Sequence, residues 1–158
     1  MNNQTGAAIR PLSALHIEDD PSVARAVSRL LRIQGYEVTS AASGAEAIQV
    51  VEDGLVPDVI VADYHLPFEM TGDQVVTKIA TRLGFRPPTV VLASVPSPDV
   101  EKVMSVADRV FEKPADMILV VREIQHLLSL RNIERSDFSP RAGAGDGLAV
   151  HSIHEVPF

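Results

Sequence analysis

The chain has 158 residues, of which 46% are hydrophobic and 4% aromatic, so aliphatic side chains must build a core of ordinary domain size. The formal net charge of −7 argues against a nucleic-acid partner, and the lack of cysteine excludes disulfides and thiolate metal sites. Because no segment approaches the roughly 18 apolar residues of a membrane span and residues 1–11 lack the apolar centre of a signal peptide, we expect a soluble, cytoplasmic protein.

Short apolar stretches alternate with amphipathic stretches along the chain, which predicts strands alternating with helices. The predicted strands are residues 12–17, 36–41, 58–62, 89–94 and 108–112. The predicted helices are residues 20–35, 43–54, 72–84, 98–107 and 115–130. Five consecutive βα units are typical of an α/β fold, in which a parallel sheet carries helices on both faces.

Local signals mark the ends of the first two helices. Asp20 is suited to cap the first helix, Pro21 to enter its first turn, and Gly35 to leave it. Ser43 and Glu46 have the spacing of a capping box at the start of the second helix.

The alternating pattern also divides the chain. Residues 1–11 are interpreted as an N-terminal extension and residues 12–130 as one domain. The polar, glycine-rich residues 131–158 are expected to form a flexible tail or linker, since they are too few for a second domain.

Charged residues stand where three predicted strands end. Glu18, Asp19 and Asp20 follow the first strand, Asp63 follows the third, and Lys113 follows the fifth. Ligands of open α/β sheets bind beyond the carboxyl ends of the strands, where the strand order reverses. If the first and third strands are neighbours, three of these four carboxylates share one pocket, and their repulsion would raise some of their pKa values unless a cation is present.

The chemistry of this set favours phosphoryl transfer. Oxygen-only ligands suit Mg²⁺, and Mg²⁺ together with the ammonium of Lys113 would neutralise phosphoryl oxygens. A carboxylate such as Asp63 can act as the nucleophile and form an aspartyl-phosphate. Each residue alone has a simpler interpretation, as Asp20 has in its role as a helix cap, but their coincidence at three strand ends favours a site.

These motifs resemble the receiver domain of two-component response regulators over about residues 12–130. The resemblance rests on "EDD" after the first strand, "DYHLP" after the third, Gly72 at the start of the next helix and "KP" after the fifth strand. It implies a flavodoxin-like, three-layer (βα)5 sandwich with strand order 2-1-3-4-5. The spacing from Pro67 to Gly72 is similar to that in receivers attached to hybrid sensor kinases.

The resemblance also assigns roles to residues. Asp63 would accept a phosphoryl group from a histidine kinase or a histidine phosphotransfer domain. Asp19 and Asp63 would bind Mg²⁺ directly, Glu18 would act nearby, often through water, and His65 would contribute its backbone carbonyl. Lys113 would pair with the phosphoryl group. The bond between Lys113 and the proline after it is expected to be cis.

Two positions depart from the family pattern. Ala93 stands where the family has a hydroxyl residue that contacts the phosphoryl group, and Val110 stands where it usually has an aromatic residue. Ser94 and Phe111 are adjacent in sequence but are expected to face differently. We therefore predict that phosphorylation changes residues 95–121 less than in a typical receiver.

The resemblance favours a phosphoryl acceptor that is not itself an enzyme, though it could belong to a larger hybrid kinase. Two alternatives remain: a receiver that acts only as a protein-interaction scaffold, and a magnesium-dependent phosphatase with an aspartate nucleophile. The phosphatase usually needs a second acid where His65 stands. The output partner is unknown, and a homodimer is left open.

Overall fold

The computed structural model describes residues 10–68, 70–94, 103 and 105–137. The strands are β1 (Ser13–Ile17), β2 (Glu37–Ala41), β3 (Val59–Asp63), β4 (Thr89–Ser94) and β5 (Arg109–Lys113). The helices with defined bounds are α1 (Pro21–Ile33), α2 (Gly44–Glu52), α3 (Gly72–Leu83) and α4 (Met117–Asp137). Residues 103, 105 and 106 are also helical. They belong to the helix predicted over residues 98–107, of which residues 98–102 and 104 lie outside the described residues.

The five strands form one parallel sheet in the order β2-β1-β3-β4-β5. The predicted fold class and strand order are therefore confirmed. Strand β1 lies between β2 and β3, so the strand order reverses at β1 and β3. The carboxyl ends of these two strands are consequently neighbours, which is the condition that the predicted site required.

The sheet is covered on both faces, and alternate residues of each strand point to opposite faces. On one face, α1 and α4 pack against the first cluster, which includes Ala14, Val59, Val61, Val90 and Leu92. On the other face, α2 and α3 pack against the second cluster, which includes Leu15, Ile17, Ile60 and Ala62. A smaller group, which we name the Tyr64 cluster, contains Tyr64, Val91, Ala93, Val103 and Ala107, with Val110 packed against it.

The predicted helix starts are confirmed with one difference in detail. The carboxylate of Asp20 accepts hydrogen bonds from the backbone N–H groups of Ser22 (2.7 Å) and Val23 (3.1 Å), so it caps α1. At α2, the hydroxyl of Ser43 accepts from the N–H of Glu46 at 3.2 Å. The Glu46 carboxylate accepts from the N–H of Ala42, at 2.7 Å, and so reaches one residue further back than a capping box predicts.

The last helix is longer than the sequence pattern predicts. The apolar stripe ends near residue 130, but α4 continues to Asp137. Residues 131–137, "RNIERSD", contain neither glycine nor proline, so nothing in their residue types breaks the helix even though the apolar stripe has ended. The predicted start of the tail at residue 131 therefore falls inside α4. Within the described part of the chain, no helix has the length and apolarity needed to cross a membrane.

Candidate phosphoryl-acceptor site

Three carboxylates meet at the carboxyl end of the sheet. Glu18 and Asp19 directly follow β1, and Asp63 is the last residue of β3. Each of the three offers an oxygen within 4.8 Å of the others' oxygens, which is close enough for all to contact one cation. An all-oxygen set of this kind fits the ligand preference of Mg²⁺. The structure thus brings together the three acids that the sequence predicted.

Glu18 is the most buried acid of the three, at 3% exposure. Its own N–H continues the pairing of β1 with β2 by donating to the carbonyl of Ala41 at 3.0 Å. Its carboxylate accepts from the N–H of Asp20 at 3.2 Å and from the ammonium of Lys113 at 3.2 Å. Burial raises the pKa of Glu18, the bonds from Asp20 and Lys113 oppose that rise, and the nearby charge of Asp63 adds to it.

Asp63 is 6% exposed, and its carboxylate accepts hydrogen bonds from a distant side chain and from a nearby backbone N–H. Its Oδ2 accepts from the ammonium of Lys113 at 2.7 Å, and its Oδ1 accepts from the backbone N–H of His65 at 3.1 Å. These bonds orient the carboxylate at the mouth of the site. A buried acid so constrained can act as a nucleophile of defined direction.

Lys113 supplies the positive charge of the site from the end of β5. Its side chain is 26% exposed, and its ammonium contacts both Glu18 and Asp63. Burial by itself would lower the pKa of Lys113, but the hydrogen bonds and charges of Asp63 and Glu18 outweigh it and raise that pKa. The lysine therefore stays charged at neutral pH. The bond from Lys113 to Pro114 is cis, as predicted.

Asp19 and Asp20 are adjacent in sequence but differ in surroundings. Both are exposed, yet Asp20 is committed to the start of α1, where the Ser22 and Val23 hydrogen bonds lower its pKa. Asp19 belongs to the group of three acids, and Asp20 does not. The interpretation of Asp20 as a helix cap is therefore confirmed.

Gly72, which the sequence predicts only as the start of a helix, also has a role at the site. Its N–H donates to the carbonyl of Tyr64 at 2.8 Å. A Cβ atom at this position would collide with the backbone carbonyl oxygen of Asp63 and lie 3.2 Å from the Cα of Tyr64. Only glycine therefore lets α3 begin directly against the backbone of the acceptor residue.

The two atypical positions, Ala93 and Val110, are both associated with the Tyr64 cluster. Phe111, next to Val110, packs into the first cluster on the opposite face, as predicted. The structure thus offers neither a hydroxyl at position 93 nor an aromatic ring at position 110. His65 is the remaining predicted residue of the site. Its side chain is exposed, and its backbone forms an isolated antiparallel bridge with Thr71.

A chain of polar side chains that begins at a buried histidine lies beside the site and was not predicted. His16 of β1 is fully buried, its Nδ1 lies 3.3 Å from the hydroxyl of Ser28, and that hydroxyl lies 2.8 Å from the hydroxyl of Ser40. Burial, with a smaller effect of the charge on Lys113, lowers the pKa of His16 to about 4. The ring is therefore neutral at physiological pH, and it adds no charge next to the acids.

Comparison with known proteins agrees with this geometry. The sequence profile described as "Response regulator receiver domain" matches residues 14–125. The chain is 28% identical to "Probable transcriptional regulatory protein TcrX" of Mycobacterium tuberculosis over 93% of its own length and 62% of the relative's. It is 33% identical to "Transcriptional regulatory protein PrrA" of the same organism over 74% of its own length and 50% of the relative's.

A solved structure has the same fold as this chain. The N-terminal domain of a response regulator/sensory box/GGDEF 3-domain protein from Carboxydothermus hydrogenoformans superposes with a TM-score of 0.68. Its sequence is 29% identical, and the match covers 78% of this chain and 98% of that one. The chain spans only one half to about two thirds of the curated relatives described above. On the matched profile, the relatives and the fold, this chain belongs to the response regulator receiver domain family.

Proposed function

We propose that the chain takes part in His–Asp signal transduction by accepting a phosphoryl group on Asp63. The observation that carries this proposal is the position of Asp63, a buried strand-end carboxylate that contacts the ammonium of Lys113 at 2.7 Å beside two further acids. Because Oδ2 of Asp63 contacts Lys113 and Oδ1 contacts the N–H of His65, each carboxylate oxygen has a defined partner.

In the proposed step, a carboxylate oxygen of Asp63 attacks the phosphorus of a phosphohistidine. An O–P bond forms, the P–N bond of the donor breaks, and its electron pair remains on the imidazole nitrogen that leaves. The ammonium of Lys113 lies beside Oδ2 of Asp63. A phosphoryl group transferred to Asp63 would therefore have this positive charge close to its negatively charged oxygens. When the second ring nitrogen of the phosphohistidine carries a proton, the leaving group is neutral imidazole, and this chain then supplies no proton.

The residues of the site fit Mg²⁺. Asp19 and Asp63 would hold the ion directly, Glu18 would act nearby, and His65 would contribute its backbone carbonyl. The three clustered carboxylates with one ammonium leave an excess of negative charge. Burial is the main cause of the raised pKa of Glu18, and the charge of Asp63 adds to it. The chemistry that the ion supplies when bound is neutralisation of charge on phosphoryl oxygens.

The proposed phosphodonor is a histidine kinase or a histidine phosphotransfer domain, which places the chain in the cytoplasm. The relatives have names of different kinds: TcrX and PrrA are named transcriptional regulatory proteins, and a 31% identical relative from Thermotoga maritima is named a cyclic di-GMP phosphodiesterase. The absence of a nucleic-acid partner, expected from the charge of these residues, therefore stays a prediction. A homodimer also stays a prediction.

Two alternatives have less support. A phosphatase would need a general acid two residues after Asp63, and the side chain there is that of His65, which is exposed and donates its backbone N–H to the nucleophile. A scaffold that takes no phosphate would have no use for the close contact between Lys113 and Asp63. The atypical Ala93 and Val110 favour the scaffold, because they remove two side chains through which the family responds.

The test is incubation of the purified chain with acetyl phosphate and Mg²⁺, followed by measurement of its intact mass. We expect the gain of one phosphoryl group in the natural chain and none in Asp63→Asn. Glu112→Gln is the matched control, because it also removes one carboxylate but lies exposed on β5, and it should be labelled normally. Equal labelling of Asp63→Asn would refute the assignment, and no labelling of the folded natural chain would favour the scaffold.

A further inference from the structure

The peptide group between Tyr64 and His65 is linked directly to the acceptor carboxylate. Its N–H donates to Oδ1 of Asp63 at 3.1 Å, and its carbonyl accepts from the N–H of Gly72 at 2.8 Å. A change of charge on Asp63 therefore acts on a peptide plane whose other end is held by the start of α3. Such a plane can turn in response only by moving the two Cα atoms that it joins, those of Tyr64 and His65.

Tyr64 is 3% exposed, and among the described residues the other members of its cluster are valines and alanines. Ala93 and Val110 are among these small residues, so Tyr64 contributes the one aromatic ring of the cluster as described. Because protein interiors are closely packed, a displaced Tyr64 ring would change the side-chain packing of every element that contributes to the cluster.

The cluster joins β4, β5 and the described helical residues that precede β5. Val103 and Ala107 bring the helical residues 103, 105 and 106 next to the cluster, and Val91 and Val110 are paired neighbours on β4 and β5. The edge of the Tyr64 ring also meets the ring of His65, with centroids 4.9 Å apart and planes at 87°. Tyr64 thus contacts both the loop at the mouth of the site and the packing beneath residues 103–110.

We propose that Tyr64 is the side chain through which the state of Asp63 reaches residues 103–110, in a chain whose positions 93 and 110 carry neither a hydroxyl nor a ring. The inference rests on the proposed phosphorylation of Asp63. Tyr64 acts as a positioning residue, since the chemistry itself uses Asp63 and Lys113. The response is then confined to the Tyr64 cluster, which agrees with the small change predicted across residues 95–121.

The chain offers a direct optical test because it has two tyrosines and no tryptophan. Tyr36→Phe leaves Tyr64 as the sole tyrosine, and Tyr64→Phe leaves Tyr36, which is buried in the first cluster on the other face. Each variant is titrated with beryllofluoride and Mg²⁺ while tyrosine emission is recorded, and fluorine NMR reports whether the mimic is bound. We expect the emission to change in Tyr36→Phe, to stay constant in Tyr64→Phe, and to stay constant in Tyr36→Phe combined with Asp63→Asn.

The outcomes separate the inference from the proposed function. Bound mimic with constant emission in Tyr36→Phe, or with equal changes in both single variants, would overturn the role of Tyr64. Absence of bound mimic in the natural chain would refute the proposed function, and the inference would be refuted with it.

Amide exchange provides a second measurement on the transmitted change. In the natural chain and in Tyr64→Phe, which keeps the ring, the mimic should alter protection of residues 103–110. In Tyr64→Leu that alteration should be lost, while labelling of Asp63 by acetyl phosphate continues. If Tyr64→Leu is folded and keeps the altered protection, the inference is wrong, and if it does not fold, the emission experiment decides alone.

Discussion

The ammonium of Lys113 lies 2.7 Å from Oδ2 of Asp63, although 50 residues separate them in sequence. Lys113 reaches this position from β5, two strands away from β3 in the sheet. The same ammonium contacts Glu18 at 3.2 Å, so one cation joins the acids at the ends of β1 and β3. The pair is thus part of a charge network that can exist only when the sheet is complete.

Replacement of Lys113 by methionine should slow phosphorylation of Asp63 by acetyl phosphate about tenfold or more, because a preorganised positive charge is lost at the transferring group. The rate is measured by intact mass over time. Lys78→Met is the matched control, since Lys78 is exposed on α3 and should not affect the rate. An unchanged rate in Lys113→Met would show that the ammonium serves only to neutralise the resting site.

Substitution by alanine should affect Mg²⁺ binding at Asp19 and folding stability at Asp20. Asp19→Ala should weaken Mg²⁺ binding about tenfold or more, since the ion would lose a direct ligand. Asp20→Ala should leave Mg²⁺ binding nearly unchanged and lower the free energy of unfolding, since α1 would lose its cap. Magnesium titration and urea unfolding of both variants distinguish these roles. Asp20→Ala as the weaker binder would contradict the observed geometry.

Gly72→Ala should reduce both stability and phosphorylation. The added Cβ meets the carbonyl oxygen of Asp63, so the acceptor strand or α3 must shift, at a cost of about 1–3 kcal/mol. Gly84→Ala is the control: position 84 has φ +77° with open space around it, so backbone strain of about 1 kcal/mol is expected with normal labelling. Equal labelling of the two variants at equal stability would argue against a positioning role for Gly72.

Asp108, remote from the site, should contribute stability that depends on pH. Burial by itself would raise the pKa of Asp108, but hydrogen bonds from Arg86 (2.7 and 3.0 Å) and the N–H of Thr89 (2.7 Å) lower it below its ordinary value of 3.8. The unfolded chain then binds the proton more readily, so this stability is present above pH 3.8 and is lost as pH falls through the lower, folded-state pKa.

Asp108→Asn should therefore lower the free energy of unfolding by about 1–3 kcal/mol at pH 7, and the difference from the natural chain should shrink below pH 4. Urea unfolding from pH 2.5 to pH 7 measures this difference. Asp53→Asn, a change at an exposed aspartate, should show little effect at any pH. A difference that grows on acidification would contradict the direction of the Asp108 pKa.

The sequence by itself determined the alternation of strands and helices, the caps at Asp20 and Ser43, and the identity of the three acids and Lys113. These features depend on local patterns: hydrophobic period, capping side chains and the residue type at each strand end. The end of α4 was misplaced because its last residues are helical without an apolar face, so periodicity carries no signal there.

Tertiary structure alone decided which residues touch. The contact of Lys113 with both acids and the packing of Tyr64 against Ala93 and Val110 join segments that are distant in sequence. The approach of Gly72 to the carbonyl of Asp63 joins the end of β3 to the start of α3. Such contacts depend on strand order and on which face each side chain takes, and both are set only when the sheet pairs. A sequence pattern therefore indicates which groups are present, while the paired sheet determines their distances, burial and pKa shifts.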